Sequence, residues 1–545
     1  MNAHKPRTRL ATHDVSNQPE PLQDVNLFDA DRLLGHCVAR AGGNAHRDHL
    51  SAFGAQAGSA EAIEWGVEAN RHPPTLKAFD RYGRRIDEVE FHPAYHALMR
   101  MGLEAGVAAR AWTHPDGGQV AHAALLFLMS QAETGVTCPM SMTYAAAPVL
   151  RRAPDLAEVW LPRILTGAYD RRVLPPDEKR GVTIGMAMTE KQGGSDVRAN
   201  ATRAAPTADG LYELVGHKWF CSAPMCDAFL TLAYSEGGLT CFLVPRWRPD
   251  GERNPVEIQR LKDKLGDRAN ASAEIEYRGA LAWRVGEEGR GVRTIIDMVS
   301  HTRLDCAVGA ASLMRQSLSL AIRHAEGRTA FQRRLIDQPL MGQVLAELAV
   351  EVEAHMALAF RAAQALDGAL AGDAGEAMLA RLIVPVAKYW VTKRCPVVVA
   401  EAMEAHGGAG YIEEGLMPRL FRASPLNAIW EGSGNVIALD VLRAFARTPQ
   451  AIDALRGRLA PVRRLGPQAA AMLDGLEPKL LADERNARHV TETLAVLLSV
   501  ETLLAWDRPD TAAALLAARG EGGRTFGAGA ARVDARSVVE RAAIH

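Results

Sequence analysis

Apolar positions recur at helical spacing from about residue 31 to 175, after a polar, proline-dotted start (NQPEPLQDVN) that reads as an extended arm lying on a neighbouring surface or domain. AHAALLFLMSQAETG is apolar on every side, as a helix buried all round must be. TCPMSMTYAAAPVL is small and Met-rich, a composition that suits core filling. The period changes at about 181. GVTIGMAMTE, ADGLYELVGHKWFCS, DAFLTLAYSEGGLTCFLVP and ASAEIEYRG are short, β-branched or aromatic runs separated by Asp-Gly and Gly-Gly turns. Helical spacing returns at Gly291 and lasts to about 445, with Pro385 and Pro396 expected to kink or divide one helix. The last hundred residues are Ala/Leu-rich and helical, with loops at Arg508-Pro509 and from Gly520 to Gly529.

The pattern predicts an α+β chain, mainly helical, in four parts. An arm and helical domain occupy 1–180, a β domain 181–285, a helical bundle 286–445 and a further helical domain 446–545. A chain of 545 residues is too long for a single core, which agrees with that division. Composition changes the picture little: 48% hydrophobic, 23% charged and a formal net charge of −1 exclude a uniformly basic coat but not a local basic patch. In the last hundred residues basic side chains slightly outnumber acidic ones, and nearly all of them are Arg. Seven scattered cysteines form no CxxC pair or finger spacing, which suggests a reduced, cytoplasmic protein. The first residues carry no apolar signal core, and no run is long enough to span a bilayer.

The candidate chemistry centres on IWEGSGN at 429–435. Glu431 stands beside Gly432 and Gly434 at the mouth of a helix, where backbone N–H groups are unpaired and a ligand can approach closely. Trp430 would keep water away. The turn alone leaves two readings open, an acid at a helix cap or an acid doing chemistry. TEKQGGSDV (189–197) offers Thr189 and Ser195 as hydroxyl donors, with Gly194 free to present its N–H; alone it would pass for a polar turn. GHKWFCSAP (216–224) places an aromatic, Phe220, two residues before a hydroxyl, Ser222. His92 and His96 have i, i+4 spacing, but Pro93 lies between and no third ligand follows, so no metal site is expected. GEEGRG (286–291) lacks the strand and helix of a dinucleotide fingerprint, and no Walker loop is present.

Together with HAEGRTAFQRRL (324–335) and AHGGAGY (405–411), these strings resemble the acyl-CoA dehydrogenase family in order and spacing. The resemblance implies that family's fold: an N-terminal helical domain, a middle β-barrel and a C-terminal helical bundle. It implies FAD as cofactor and Glu431 as the base that takes the α-proton of an acyl thioester. By register Met186, Thr189, Gly194, Ser195, Phe220, Ser222, Gly432 and Asn435 would line the flavin site. Arg328, Phe331, Gly407 and Gly408 would meet the FAD of a neighbouring subunit in a homotetramer. Lys191-Gln192 and Ala223-Pro224 depart from the family strings, so the substrate side of the site can differ.

The N-terminal arm and the hundred added residues, with RYGRRIDEVEFHPAYH and RLKDKLGDRANAS, resemble the branch of this family that serves the bacterial response to DNA alkylation. That outline implies double-stranded DNA as a partner through a C-terminal helical DNA-binding region, with Arg443 and Arg519 reaching phosphate. Acyl-CoA dehydrogenase activity would be weak. The competing expectation is a catabolic dehydrogenase of short branched acyl-CoAs whose added domain is structural.

Overall fold

The computed structural model describes residues 6–447, 450–476, 482–520 and 534–543. The arm runs to Asp31, which caps helix α1 (Arg32–Arg40) by accepting the N–H groups of Leu33 and Leu34. Along the way it lies across the end of a later helix: the Asn17 amide donates to the Thr329 carbonyl at 2.8 Å and accepts from its N–H at 2.6 Å. Helices α2 (Arg47–Ala57) and α3 (Ala60–Arg71) follow.

The expectation of unbroken helix over 31–175 fails next. Thr75–Phe79 (β1) and Arg85–Glu90 (β2) form an antiparallel hairpin. Asp80 accepts the N–H groups of Tyr82 and Arg84, and Gly83 takes a φ of +81°, so the turn is specified locally. The hairpin docks on the β domain, where Asp87 accepts from the Ile258 N–H at 2.8 Å. Helices α4 (Pro93–Glu104), α5 (Arg110–Thr113), α6 (Gly118–Ala132), α7 (Thr137–Leu150) and α8 (Pro154–Leu165) complete the region. Every residue of α6 is buried, as its all-round apolar pattern requires.

Strands β3 (Ile184–Ala187), β4 (Arg203–Pro206), β5 (Tyr212–Ser222), β6 (Ala228–Ser235), β7 (Gly238–Pro245), β8 (Val256–Leu261) and β9 (Ser272–Val285) form one sheet. Its order is β3-β6-β4-β5-β9-β7, and β6 also pairs with β7, so five strands close into a barrel. β3 adds to β6 in parallel and β8 adds to β9. Closure removes the open edges that a sheet of this size would otherwise expose.

The C-terminal bundle is built on α9 (Gly291–Gly327), α10 (Pro339–Leu370) and α11 (Ala374–Glu404), which pack on one another. The short hairpin β10 (Thr329–Ala330) and β11 (Arg333–Arg334) links the first two. α11 runs on through Pro385 and Pro396 instead of dividing there. A proline inside a helix costs about 3 kcal/mol. α11 offsets that by burying most of its length between neighbouring helices. α12 (Met417–Ala423) and α13 (Gly434–Arg447) close the bundle.

Beyond it lie α14 (Gln450–Leu459), α15 (Pro467–Asp474), α16 (Ala487–Ala505), α17 (Pro509–Gly520) and α18 (Ala535–Ala542). α16 packs on α10, α11 and α13, and α18 packs on α10. The extension is therefore part of the bundle's core. All seven cysteines are buried and unpaired. Among the described residues no helix is long and apolar enough to cross a membrane.

Candidate active site

A cavity of about 690 Å³ opens where the barrel meets α7, α9 and the turn before α13. Nine of the residues singled out from sequence line it together: Met186, Thr189, Gly194, Ser195, Phe220, Ser222, Trp430, Glu431 and Gly432. The barrel supplies the first six. Met186 lies on β3, the 189–195 loop follows it, and Phe220 and Ser222 end β5. Gly194 has a steric reason: a Cβ there would come 3.2 Å from the Thr189 methyl.

A buried ion pair that the sequence reading passed over holds the loop. Lys218 on β5 donates to Glu190 at 2.8 Å and to the Leu232 carbonyl at 2.8 Å. Glu190 also accepts from the Ala201 N–H and the Thr202 hydroxyl, each at 2.6 Å. Burial pushes the Glu190 carboxyl up, but Lys218 and these hydrogen bonds outweigh it and hold it down at about 2. The Thr-Glu and Gly-x-Lys strings are thus two halves of one interaction.

Glu431 sits on a turn that its own side chain does not favour. Its φ is +56°, followed by +104° at Gly432. A non-glycine residue in the left-handed region persists only when its surroundings hold it. Arg303 donates to the Glu431 carbonyl at 3.1 Å and pairs with Asp440 on α13 at 2.9 Å. Lys388, buried in α11, donates to the Gly432 carbonyl. The carboxylate accepts from the Thr302 hydroxyl at 2.8 Å. Burial raises the Glu431 carboxyl above its usual value; Thr302, Arg303 and Lys388 pull it back and Asp305 pushes with the burial. The result is a carboxylate more basic than usual, facing a cavity. Burial lowers Lys388 to about 8, so below that pH it carries charge beneath the turn. A lysine in the middle of the apolar run VPVAKYWV was a legible signal for this support. RLKDKLGDRANAS contributes Lys264, Asp267, Asn270 and Ser272 to the opposite wall.

The other predicted residues lie elsewhere in a single chain. Arg328 donates to the Asn17 carbonyl at 3.1 Å, beside Phe331, which is 95% exposed at the hairpin tip. Gly407 and Gly408 form a short turn where an added Cβ would meet open space. Asn435 does not line the cavity; it accepts from Arg488 of the extension at 2.7 Å. Arg443 is exposed on α13. Arg519 requires correction. Expected to reach phosphate, it instead lies in the last turn of α17 and turns inward to pair with Glu351 and to stack 5.1 Å over Trp390. Burial lowers it to about 10, and it does not face solvent where phosphate would be. The expected loop from 520 to 529 lies outside the described residues beyond Gly520. His92 and His96 have separate tasks: His96 meets the Tyr169 hydroxyl at 2.7 Å, and His92 Nδ1 accepts from the Ala94 N–H at 3.3 Å. Glu68 and His72 approach His92, with one potential ligand atom of each within 4.8 Å of the others, a grouping that the His92/His96 spacing did not announce.

Comparison with known proteins agrees with this architecture. Residues 17–171 match the adaptive response protein AidB N-terminal domain, 185–280 the acyl-CoA dehydrogenase middle domain and 289–446 the acyl-CoA dehydrogenase C-terminal domain. The putative acyl-CoA dehydrogenase AidB of Escherichia coli is 48% identical over 83% of this chain and 84% of its own length. The chain belongs to the acyl-CoA dehydrogenase family. Within it the chain is an AidB-like member, an FAD-dependent oxidoreductase of acyl-CoA dehydrogenase type. Among solved structures, Caenorhabditis elegans ACDH-11 in complex with C11-CoA superposes with a TM-score of 0.84 at 28% identity. That match covers 99% of this chain and 98% of the other. Bd2924 in its apo form superposes with a TM-score of 0.81 at 30% identity, over 90% and 99% of the two chains.

The cavity's donor set fits FAD. Thr189, Ser195 and Ser222 offer hydroxyl groups on the barrel side, and Asn270 Oδ1 is buried without a partner in the same wall. A planar aromatic cofactor finds a flat neighbour in the half-exposed Phe220 ring.

Proposed function

We propose that the cavity takes an acyl thioester and that Glu431 removes its α-proton, with Thr189, Gly194, Ser195, Phe220 and Ser222 holding the flavin. The observation that carries this reading is the Glu431 carboxylate, raised by burial and lining the same cavity as the 189–195 loop. The chain's own part is positional. Thr302 fixes the carboxylate and Arg303 and Lys388 fix its backbone, so the proton is taken by a base that needs no rearrangement. FAD supplies the hydride acceptor for the β-carbon. That ACDH-11 was solved with C11-CoA supports the ligand class. Glu431→Gln should keep fold and flavin but slow thioester-dependent flavin reduction by about 10²–10⁴-fold. Reduction at the parental rate in an anaerobic stopped-flow experiment would assign the proton to another residue.

The likeness to AidB motivates a second component, association with duplex DNA in the alkylation response as a homotetramer. With Arg519 turned inward, Arg443 is the candidate phosphate ligand that remains exposed. Four copies in a tetramer would make a basic surface from a modest excess per chain. Arg443→Ala should weaken binding to all duplex sequences alike and lower the salt slope by about one unit for each phosphate it no longer neutralises. Filter or fluorescence titration across salt concentrations reads this; an unchanged slope assigns Arg443 to its helix end alone and favours the purely metabolic reading.

A further inference from the structure

The covered side of the cavity carries a second carboxylate that the proton-abstraction scheme does not use. Asp305 lies one turn along α9 from Thr302, the residue that holds Glu431, a rise of about 4.5 Å. Its side chain is 4% exposed, yet it lines the cavity. Phe220, Leu265 and Ile429 of the lining are exposed while Asp305 is buried, so Asp305 lies on the covered side of the cavity, against which part of a bound acyl group would pack.

Asp305 is held rather than merely placed. His122, fully buried in α6, contacts it at 2.9 Å from Nε2, and the Ser141 hydroxyl of α7 donates to its other oxygen. The Nδ1 of His122 is 2.7 Å from the Val107 carbonyl, which can only accept, so that nitrogen carries a proton. The contact between Nε2 and Oδ1 is a hydrogen bond that occupies one position on the Asp305 carboxyl. The Tyr144 ring stacks on the imidazole at 3.5 Å between centroids, which fixes its plane. A carboxylate has about four acceptor positions, and protein donors take two of those on Asp305.

An aliphatic tail driven against this group would strip water from the remaining positions and give nothing back. Leaving a buried polar group so unpaired weakens binding by about tenfold, and by more when the group is charged. Two hydroxyl residues in the wall do not share the problem. The Ser130 hydroxyl bonds to the Leu126 carbonyl at 2.8 Å and the Thr137 hydroxyl to the Thr134 carbonyl at 2.6 Å, within their own segments.

We propose that Asp305 is a specificity-determining residue that accepts a hydrogen bond from a donor on the substrate's acyl chain, so that the preferred substrates are short acyl thioesters bearing a hydroxyl or amino group about three or four carbons from the thioester carbonyl. This rests on the acyl-thioester reading of the cavity. The spacing follows from the single helical turn between Thr302 and Asp305.

The test compares 4-hydroxybutyryl-CoA with valeryl-CoA, which differ by a hydroxyl in place of a terminal methyl. Both are titrated by calorimetry into the FAD-loaded Glu431→Gln protein, where turnover is suppressed. The hydroxylated thioester should bind about tenfold or more tightly than its isostere. Asp305→Leu in the same background should reverse that order, and Asp305→Asn, closer in shape, should narrow it. Equal binding of the two, or tighter binding of valeryl-CoA before any change at Asp305, overturns the proposal without touching the acyl-thioester reading. Failure of both to bind overturns the two together. Flavin bleaching during the titration would instead show that Glu431 is not the base, and the order of affinities would still decide the role of Asp305.

Discussion

Glu431, the proposed base, shows how little of a carboxylate's behaviour resides in the carboxylate itself. Its carboxylate is set by Thr302, its backbone by Arg303, and the next carbonyl by Lys388, three residues from two helices far away in sequence. The Trp-Glu-Gly string could be read as chemistry and the lysine inside VPVAKYWV stood out, but Thr302 and Arg303 could not be read as supports, because nothing in a linear sequence pairs residue 302 with residue 431. Lys388→Met offers a test at this scale. The lysine is charged below a pH of about 8 and holds the Glu431 carboxyl down against burial. Removing it should raise Glu431 further, so the acid limb of the pH profile for flavin reduction should move to higher pH. A limb that stays in place would mean that Lys388 serves only to hold the Gly432 carbonyl.

At the scale of elements, the 189–195 loop and β5 are coupled through Glu190 and Lys218, both fully covered. Breaking a buried ion pair by removing one partner costs about 3–5 kcal/mol. Lys218→Met should therefore lower the thermal midpoint and let FAD escape more readily, measured by melting and by flavin release on dilution. Because Glu190 is held down at about 2, the pair's contribution is present above the ordinary carboxylate range and fades as pH falls toward 2. The strand-rich character of 181–285 was legible from its period and turns, as was the all-round burial of α6. The β1–β2 hairpin was hidden because two short alternating runs were embedded in a helical stretch. Of the two outcomes expected at the prolines of α11, division does not occur, because tertiary packing outweighs their local cost.

Over the whole molecule, the arginines of the extension look inward more than their number suggested. Arg508 and Arg541 both donate to Glu353 of α10, at 2.9 Å each, and Thr511 joins them at 2.8 Å. Arg458 reaches Glu501 at 3.2 Å and Arg519 reaches Glu351. Composition reports charge but not the partner it meets, so an Arg-rich tail could not be told from a phosphate-binding one. Glu353→Ala should leave the extension's cations without their shared acceptor, speeding proteolysis within 482–520 and lowering the thermal midpoint. Proteolysis at the parental rate would locate the extension's hold in apolar packing alone. The arrangement also fixes an order of events during synthesis. Glu353 leaves the ribosome nearly two hundred residues before Arg541, the latest of its donors among the described residues, so the bundle's charges are matched only once Arg541 has been made. A chain stopped early is not a smaller version of this protein but an unfinished one.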